Sequence, residues 1–194
     1  VVATALPLVT PFRKIIHIGG VLFVPVAMYN RYLALALAFL GLLLFIFFER
    51  QKRRVVPGFF RHLYRERELG TVAMEPLAYL LSIIALLALS TVFVPEACYV
   101  AIIVMTLGDG VAGLAGRAMK GPRLPYSRKT VYGTLAGFIA AAVAGYFIAG
   151  VPAAIAGAAG GMAAEALAGK YDNAATAAAA LFCAVIVSLP LPLL

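Results

Sequence analysis

The sequence predicts an all-α protein, a polytopic membrane helical bundle of about seven transmembrane helices with its N-terminus in the cytoplasm. Three observations predict it. Hydrophobic residues make up 64% of the 194 residues, and the mean hydropathy is +1.01. Charged residues make up only 12%, about half the fraction of an ordinary soluble domain. The cations are gathered into a few short segments between long apolar runs. That much apolar surface exceeds what one globular core can hide, so residues 1–194 read as a single integral membrane domain.

A crossing helix needs about 20 mostly apolar residues. Runs of that kind lie at 15–30, 32–48, 74–94, 97–116, 131–149, 151–169 and 174–194. The first contains His17 and Pro25. No small-residue cleavage site follows the apolar start at Val1 to Ile18, so that run is expected to be a retained helix. The fifth and sixth runs are separated only by Gly150 to Pro152, which predicts a tight hairpin.

Charge orients the bundle. Arg13 and Lys14 precede the first run, and seven cations from Arg50 to Arg67 follow the second. Arg117, Lys120, Arg123, Arg128 and Lys129 follow the fourth, and Lys170 follows the sixth. With seven crossings, every Lys and Arg except Arg31 falls on one side, which the positive-inside rule makes cytoplasmic. The net charge of +8 therefore reads as topology and anionic-ligand chemistry, and no nucleic acid is expected as a partner. Residues 50–73 form the long polar loop, within which Arg61 to Leu69 can make an amphipathic helix on the membrane surface. Cys98 and Cys183 are isolated in apolar sequence and read as small buried hydrophobes.

Asp109, Glu165 and Glu75 lie at membrane depth, where ionisable groups are costly and face an interior site. All three fall toward the side that carries the basic loops, and Asp172 and Asn173 follow Glu165 closely. Glu75 and Asp172 could each simply pair with a nearby cation. Asp109 stands apart because small residues surround it: Gly108, Ala112 and Gly116 form one strip of a helix, and Asp109, Gly113 and Gly116 form the next. Such strips either let a ligand approach the backbone or pack helix on helix; Gly133–Gly137 and Gly157–Gly161 are expected to be packing faces.

A carboxylate beside exposed backbone and a run of cations suits a metal–polyphosphate complex. Asp109 would bind Mg²⁺, whose other ligands are waters and phosphate oxygens. Lys and Arg would neutralise the phosphates. Thr130 and Thr134 could donate hydroxyls at the start of the fifth helix, whose free N–H groups favour anions. The pattern GxxxxGK[ST] is absent, which argues against a P-loop mechanism.

The string GDGVAGLAGRAMKGPRLPYSRKTVYGT resembles the signature of CTP-dependent lipid-alcohol kinases, which include dolichol (polyprenol) kinase, phytol kinase and the CTP-dependent diacylglycerol kinase. The matching positions are Gly108-Asp109, Ala112, Gly116-Arg117, Leu124-Pro125, Lys129-Thr130 and Gly133-Thr134. RKIIHIGG, from Arg13 to Gly20, resembles the family opening, and EALAGKYDN, from Glu165 to Asn173, resembles its late Glu and Asp-Asn. One position departs: Tyr132 stands where the family usually has Glu.

The resemblance implies transfer of the γ-phosphate of CTP to the hydroxyl of a long isoprenoid alcohol taken from the bilayer. Asp109 would hold Mg²⁺, with Glu165 or Asp172 as a second carboxylate. Lys129, Arg117 and Lys120, within a nucleotide-binding loop at 117–130, would hold the triphosphate. Gly108, Gly113, Gly116, Thr130, Gly133 and Thr134 would line the nucleotide, and Asn173 would orient the nucleotide or a metal-bound water. Asp172 is the choice for the base that accepts the hydroxyl proton. His17, Lys14 and Glu75 are candidates for the substrate site, although His17 reads more readily as a helix-packing residue. Phytol, geranylgeraniol or diacylglycerol as acceptor, a cytidylyltransferase making a CDP-lipid, and a small transporter are the alternatives. The Ala- and Gly-rich last three runs allow close packing in a homodimer as well as within one chain.

Overall fold

The computed structural model describes residues 9–52, 68, 70–119, 121–125, 127, 129–167 and 172–189, with residues 9–12 described by their backbone alone. The expected amphipathic helix at Arg61 to Leu69 lies, but for Glu68, outside the described residues, as do Lys120, Arg128 and Lys170. Among the described residues every element is helical, apart from an isolated bridge between Arg123 and Thr130. The elements are α1 (Val9–Gly19), a 3₁₀ turn (Gly20–Leu22), α2 (Phe23–Tyr29), α3 (Arg31–Gln51), α4 (Met74–Leu89), α5 (Pro95–Ile103), a π-helical turn (Val104–Gly108), α6 (Asp109–Ala118), α7 (Val131–Leu167) and α8 (Asp172–Ser188).

Among the described residues three helical stretches are long and apolar enough to cross a membrane: Arg31–Gln51, Pro95–Ala118 and Val131–Leu167. Met74–Leu89 and Asp172–Ser188 are apolar but shorter. The apolar run at 74–94 predicts a longer α4 than the structure has. Its end is drawn in because Ser90 Oγ donates to Leu87 O (2.7 Å) and Thr91 Oγ1 donates to Ala88 O (2.6 Å), which occupies carbonyls the last turn leaves over. The chain then restarts at Pro95, in the first helical position, where a missing N–H costs nothing. α3 begins at Asn30, whose extended backbone (φ −154°) and side-chain oxygen, accepting from Leu33 N at 3.0 Å, form an N-cap.

Burial separates a central helix from its outward-facing neighbours. Every residue of α5 from Ala97 to Ile103 is buried, and burial continues through Val104, Met105 and Thr106. A helix apolar all round and buried all round is a core helix. α3 is equally apolar, but only Ala34 and Ala38 are buried, so Leu37, Leu40, Leu44 and Phe47 turn outward.

α7 is two arms. Gly150 has φ 74°, a left-handed conformation that a side chain would strain, and Pro152 follows it. A Cβ placed on Gly145 would stand 3.2 Å from Ala154 Cβ. In a straight helix those two residues are about 13.5 Å apart at ~1.5 Å rise per residue, so the chain doubles back, as the Gly150–Pro152 spacing predicts.

Glycines set how closely the arms pack. On the first arm, a Cβ at Gly133 would meet Ala112 O at 2.6 Å and Gly116 Cα at 2.9 Å, and one at Gly137 would meet Gly108 O at 2.5 Å. On the second arm, Gly157 lies against Ala180 O and Ala184, and Gly161 against Ala180 and Thr176 O. Both glycine pairs are thus packing faces, as expected.

Gly137→Ala is expected to destabilise the protein by about 1–3 kcal/mol, because its Cβ would strike a backbone carbonyl that has nowhere to go. Gly19→Ala, with nothing within 4 Å of the new methyl, should leave stability unchanged or slightly raised. Thermal unfolding of the two variants in one detergent separates them; equal melting temperatures would remove Gly137 from the helix contact.

Candidate functional site

The charged side chains meet at one end of the bundle. The other end holds a depression beside Tyr29, Arg31 and Thr91, where Arg31 Nη1 donates to Ser90 O at 3.2 Å. α1 brings Lys14 and His17, the π-turn delivers Asp109, the loop before α7 brings Lys129, the second arm brings Glu165, and α8 opens with Asp172.

Asp109 is the inner member, 4% exposed. Its Oδ2 accepts from Lys14 Nζ at 2.6 Å and lies 3.1 Å from His17 Nε2. His17 Nε2 is also 2.9 Å from Met105 O. Both neighbours are acceptors only, so Nε2 is the nitrogen that carries the proton. The π-turn, wider than an α-turn, ends at Asp109, and it is the kind of irregularity found at functional sites.

Lys129 ties the cluster together. It forms a close ion pair with Glu165 and stands 3.8 Å from Asp109 Oδ1 and 3.8 Å from Asp172 Oδ2. Burial acts to lower the pKa of its ammonium, but Glu165, Asp109 and Asp172 outweigh burial and hold it above the ordinary lysine value. Glu165, 1% exposed, also faces Asp109. Each of these two carboxylates keeps one oxygen, Asp109 Oδ1 and Glu165 Oε2, buried without a hydrogen-bond donor.

A second charged layer lies alongside. Arg13 Nη1 donates to Glu68 Oε2 at 2.7 Å, and Arg13 Nη2 lies 3.5 Å from Glu75 Oε2. Asn173 Nδ2 donates to Glu75 O at 3.4 Å, and its backbone N donates to Asp172 Oδ1 at 3.0 Å. Lys52, paired with Glu49, donates to Glu68 O (2.8 Å) and Thr71 O (2.6 Å), which fixes the end of α3 to the segment leading into α4.

The structure thus gathers Lys14, His17, Asp109, Lys129, Glu165 and Asp172, with Glu75 and Asn173 at the edge. The glycines divide. Gly108, Gly116 and Gly133 sit in the contact between α6 and the first arm of α7, where backbone meets backbone. Gly113 instead faces the Lys14 side chain, whose Cε would be 2.7 Å from an added Cβ. Thr130 Oγ1 accepts from Gly133 N at 3.2 Å and caps α7, whereas Thr134 Oγ1 is buried with no partner. Arg117 is exposed, one turn beyond Gly113. Tyr132 packs its ring over Gly121 and so braces the basic loop.

Tyr79 joins the site without being among the residues the sequence singles out. Its hydroxyl donates to His17 O at 2.7 Å, and its ring centroid lies 4.2 Å from that of His17. The available signal is its place four residues after Glu75, on the same face of α4.

Among the described residues no group of three or more His, Cys, Asp or Glu side chains could hold a metal ion by itself. The two donorless carboxylate oxygens still fit Mg²⁺, a hard cation that takes one or two carboxylates and completes its shell with water and phosphate. Asp109, with Glu165 or Asp172, would hold it. No protein-family model, curated protein or solved structure matches the chain.

Lys129→Met leaves Glu165 and Asp109 buried beside each other with one cation fewer. The expected cost is about 3 kcal/mol, the low end for breaking a buried pair, since Lys129 is itself partly exposed. The deficit should shrink on acidification, because protonated carboxyls need no counter-charge. The wild-type tie, by contrast, is complete below the ordinary lysine pKa and is lost only as pH rises through the raised value. Melting curves of both proteins across pH test this; a deficit independent of pH would show that Lys129 acts through packing alone.

Proposed function

We propose that this chain is a CTP-dependent kinase of a long-chain isoprenoid alcohol of the dolichol or polyprenol type, acting at the cytoplasmic face of the membrane. The observation that carries the reading is the cluster at Lys129, where carboxylates from three helical segments meet two lysines inside an otherwise apolar bundle. Phosphoryl transfer asks a protein mainly for positioning and charge neutralisation. Mg²⁺, when bound, neutralises phosphate charge. The chain supplies the rest. Lys129 and Lys14 reach the same carboxylate, so both ammoniums converge where they would pair with a phosphate that Mg²⁺ would hold beside Asp109. The half-open face at Gly113 and Arg117 gives the triphosphate a route from the aqueous side. Asp172, the most exposed carboxylate of the three, is the choice for receiving the hydroxyl proton.

The reading includes a multi-pass topology of seven crossings. Val9–Tyr29 and the two arms of α7 would then each count as one crossing, with the N-terminus and the Lys129 end in the cytosol. Phytol, geranylgeraniol or diacylglycerol kinase would use the same cluster with a different tail pocket. A cytidylyltransferase would attack the α-phosphate and release pyrophosphate, so the product distinguishes it.

Purified protein incubated with Mg²⁺, γ-labelled CTP and a panel of lipid alcohols is expected to give a labelled lipid monophosphate. Asp109→Asn should abolish turnover while the protein stays folded, since the amide keeps the shape but loses the charge. Lys129→Ala should impair CTP use roughly 10- to 150-fold, the loss of one desolvated charge-assisted contact. Substantial activity in Asp109→Asn, labelled pyrophosphate in place of labelled lipid, or a Lys129 defect confined to the alcohol would each overturn the reading.

A further inference from the structure

Asp109 does not divide its donors evenly. Lys14 Nζ (2.6 Å) and His17 Nε2 (3.1 Å) both fall on Oδ2, whereas Oδ1 is buried without a hydrogen-bond donor. The last side-chain torsion of an aspartate is soft, so a free carboxylate would turn and share two donors between its two oxygens. Lys14 does not prevent that turn. Its ammonium sits on a flexible stem with rotatable donors, and it can follow the carboxylate. His17 is planar and donates along one line, so the direction of its ring decides which oxygen it meets.

Tyr79 sets that direction. Its hydroxyl donates to His17 O at 2.7 Å, and the two rings lie with centroids 4.2 Å apart and planes 34° apart. The first contact fixes the backbone of His17, and the second blocks the swing of its ring. Nε2 then reaches two points of one irregular segment: Met105 O within the π-turn, at 2.9 Å, and Asp109 at its end. Tyr79 comes from α4, and it can come this close only because residue 20 is glycine. A Cβ at Gly20 would overlap the Tyr79 hydroxyl oxygen and stand 3.0 Å from Thr106 Cγ2. Among the described glycines no other Cβ would lie so near another atom. The gap at Gly20 thus serves the hydroxyl of Tyr79, which a residue placed for packing alone does not need.

We infer that Tyr79 is a positioning residue for cation binding: acting through His17, it holds Asp109 so that Oδ2 is occupied by protein donors and Oδ1 is left, beside Glu165, for a divalent cation. This rests on the kinase reading for what the cation does, but not for whether it binds.

The test measures Mn²⁺ binding to the full chain in detergent, without nucleotide, from the electron paramagnetic resonance signal of the free ion. Mn²⁺ suits the same oxygen ligands as Mg²⁺. Wild type is expected to bind it, and Asp109→Asn is not. His17→Leu removes the donor and should weaken binding about 10- to 100-fold, the usual cost of losing an outer partner of a ligating group. Tyr79→Phe keeps the ring and loses only the hydroxyl. It should weaken binding about 3- to 10-fold, the value of one hydrogen bond. Gly20→Ala disturbs the same contact from the other side and should weaken binding as well. The losses in the Gly20→Ala, Tyr79→Phe double variant should not add, because both act on one contact. In turnover, excess Mg²⁺ should restore the rate of Tyr79→Phe and leave KM for the lipid alcohol unchanged. A tyrosine with a packing role alone would lower the melting temperature on change to Phe and leave Mn²⁺ affinity as it was. That result, no Mn²⁺ binding by wild type, or additive losses in the double variant would each overturn the inference. If the Mn²⁺ series holds but no labelled lipid forms, the positioning role stands and the kinase reading falls. If labelled lipid forms and Tyr79→Phe binds Mn²⁺ like wild type, the kinase reading stands and this inference falls.

Discussion

Carboxylates buried in an apolar bundle need counter-charges, and Lys129 serves two of them together with the half-exposed Asp172. Asp109, Glu165 and Asp172 come from α6, from the far end of α7 and from the start of α8. An unpaired carboxylate in such surroundings costs several kcal/mol, so the three helical segments and the loop that carries Lys129 are bound to one relative placement. Lys14 and His17 extend the same constraint to α1, and Arg13 extends it to Glu68 and Glu75. The bundle therefore closes around a charge balance at one end, and around alanine and glycine contacts elsewhere.

Those contacts are what allow short side chains to meet. An aspartate reaches only a few ångströms from its backbone, so Asp109 can share Lys129 with Glu165 only if α6 and both arms of α7 approach closely. Gly108, Gly116, Gly133 and Gly137 permit that approach, and each would push the helices apart if it carried a side chain. The glycines near Asp109 thus act on the site largely through helix spacing. Gly113 is the exception, since what lies over it is the flexible end of Lys14 rather than backbone.

Much of this is legible in the sequence alone. Apolar run lengths locate the helices, and the Gly150–Pro152 punctuation locates the reversal inside what is otherwise one 37-residue helix. The isolated carboxylates in apolar sequence mark Asp109 and Glu165, because burial of a charge is costly wherever it occurs. What is not legible depends on which faces meet. Spacing on one helix cannot tell that Gly108 and Gly116 face Gly137 and Gly133 across a contact rather than a ligand. Tyr79 looks like an ordinary member of an apolar helix until its contacts with His17 are known. The 3₁₀ turn ahead of Pro25 and the π-turn ahead of Asp109 are departures from regular periodicity, and a pattern based on 3.6 residues per turn passes over them.

The distribution of polarity along the bundle bears on what kind of function such a site can serve. Carrying an ion or solute across a membrane calls for polar groups near mid-depth and for helices interrupted there. Here the central helix α5 is buried and apolar from Ala97 to Ile103, and α8 beyond Thr176 continues in apolar residues as far as Val187. The charged cluster lies at the Lys129 end, and the opposite end carries Arg31, which donates to Ser90 O. Under the proposed reading, this placement of the charge suits chemistry on a lipid headgroup at one face better than passage of a polar solute through the bundle.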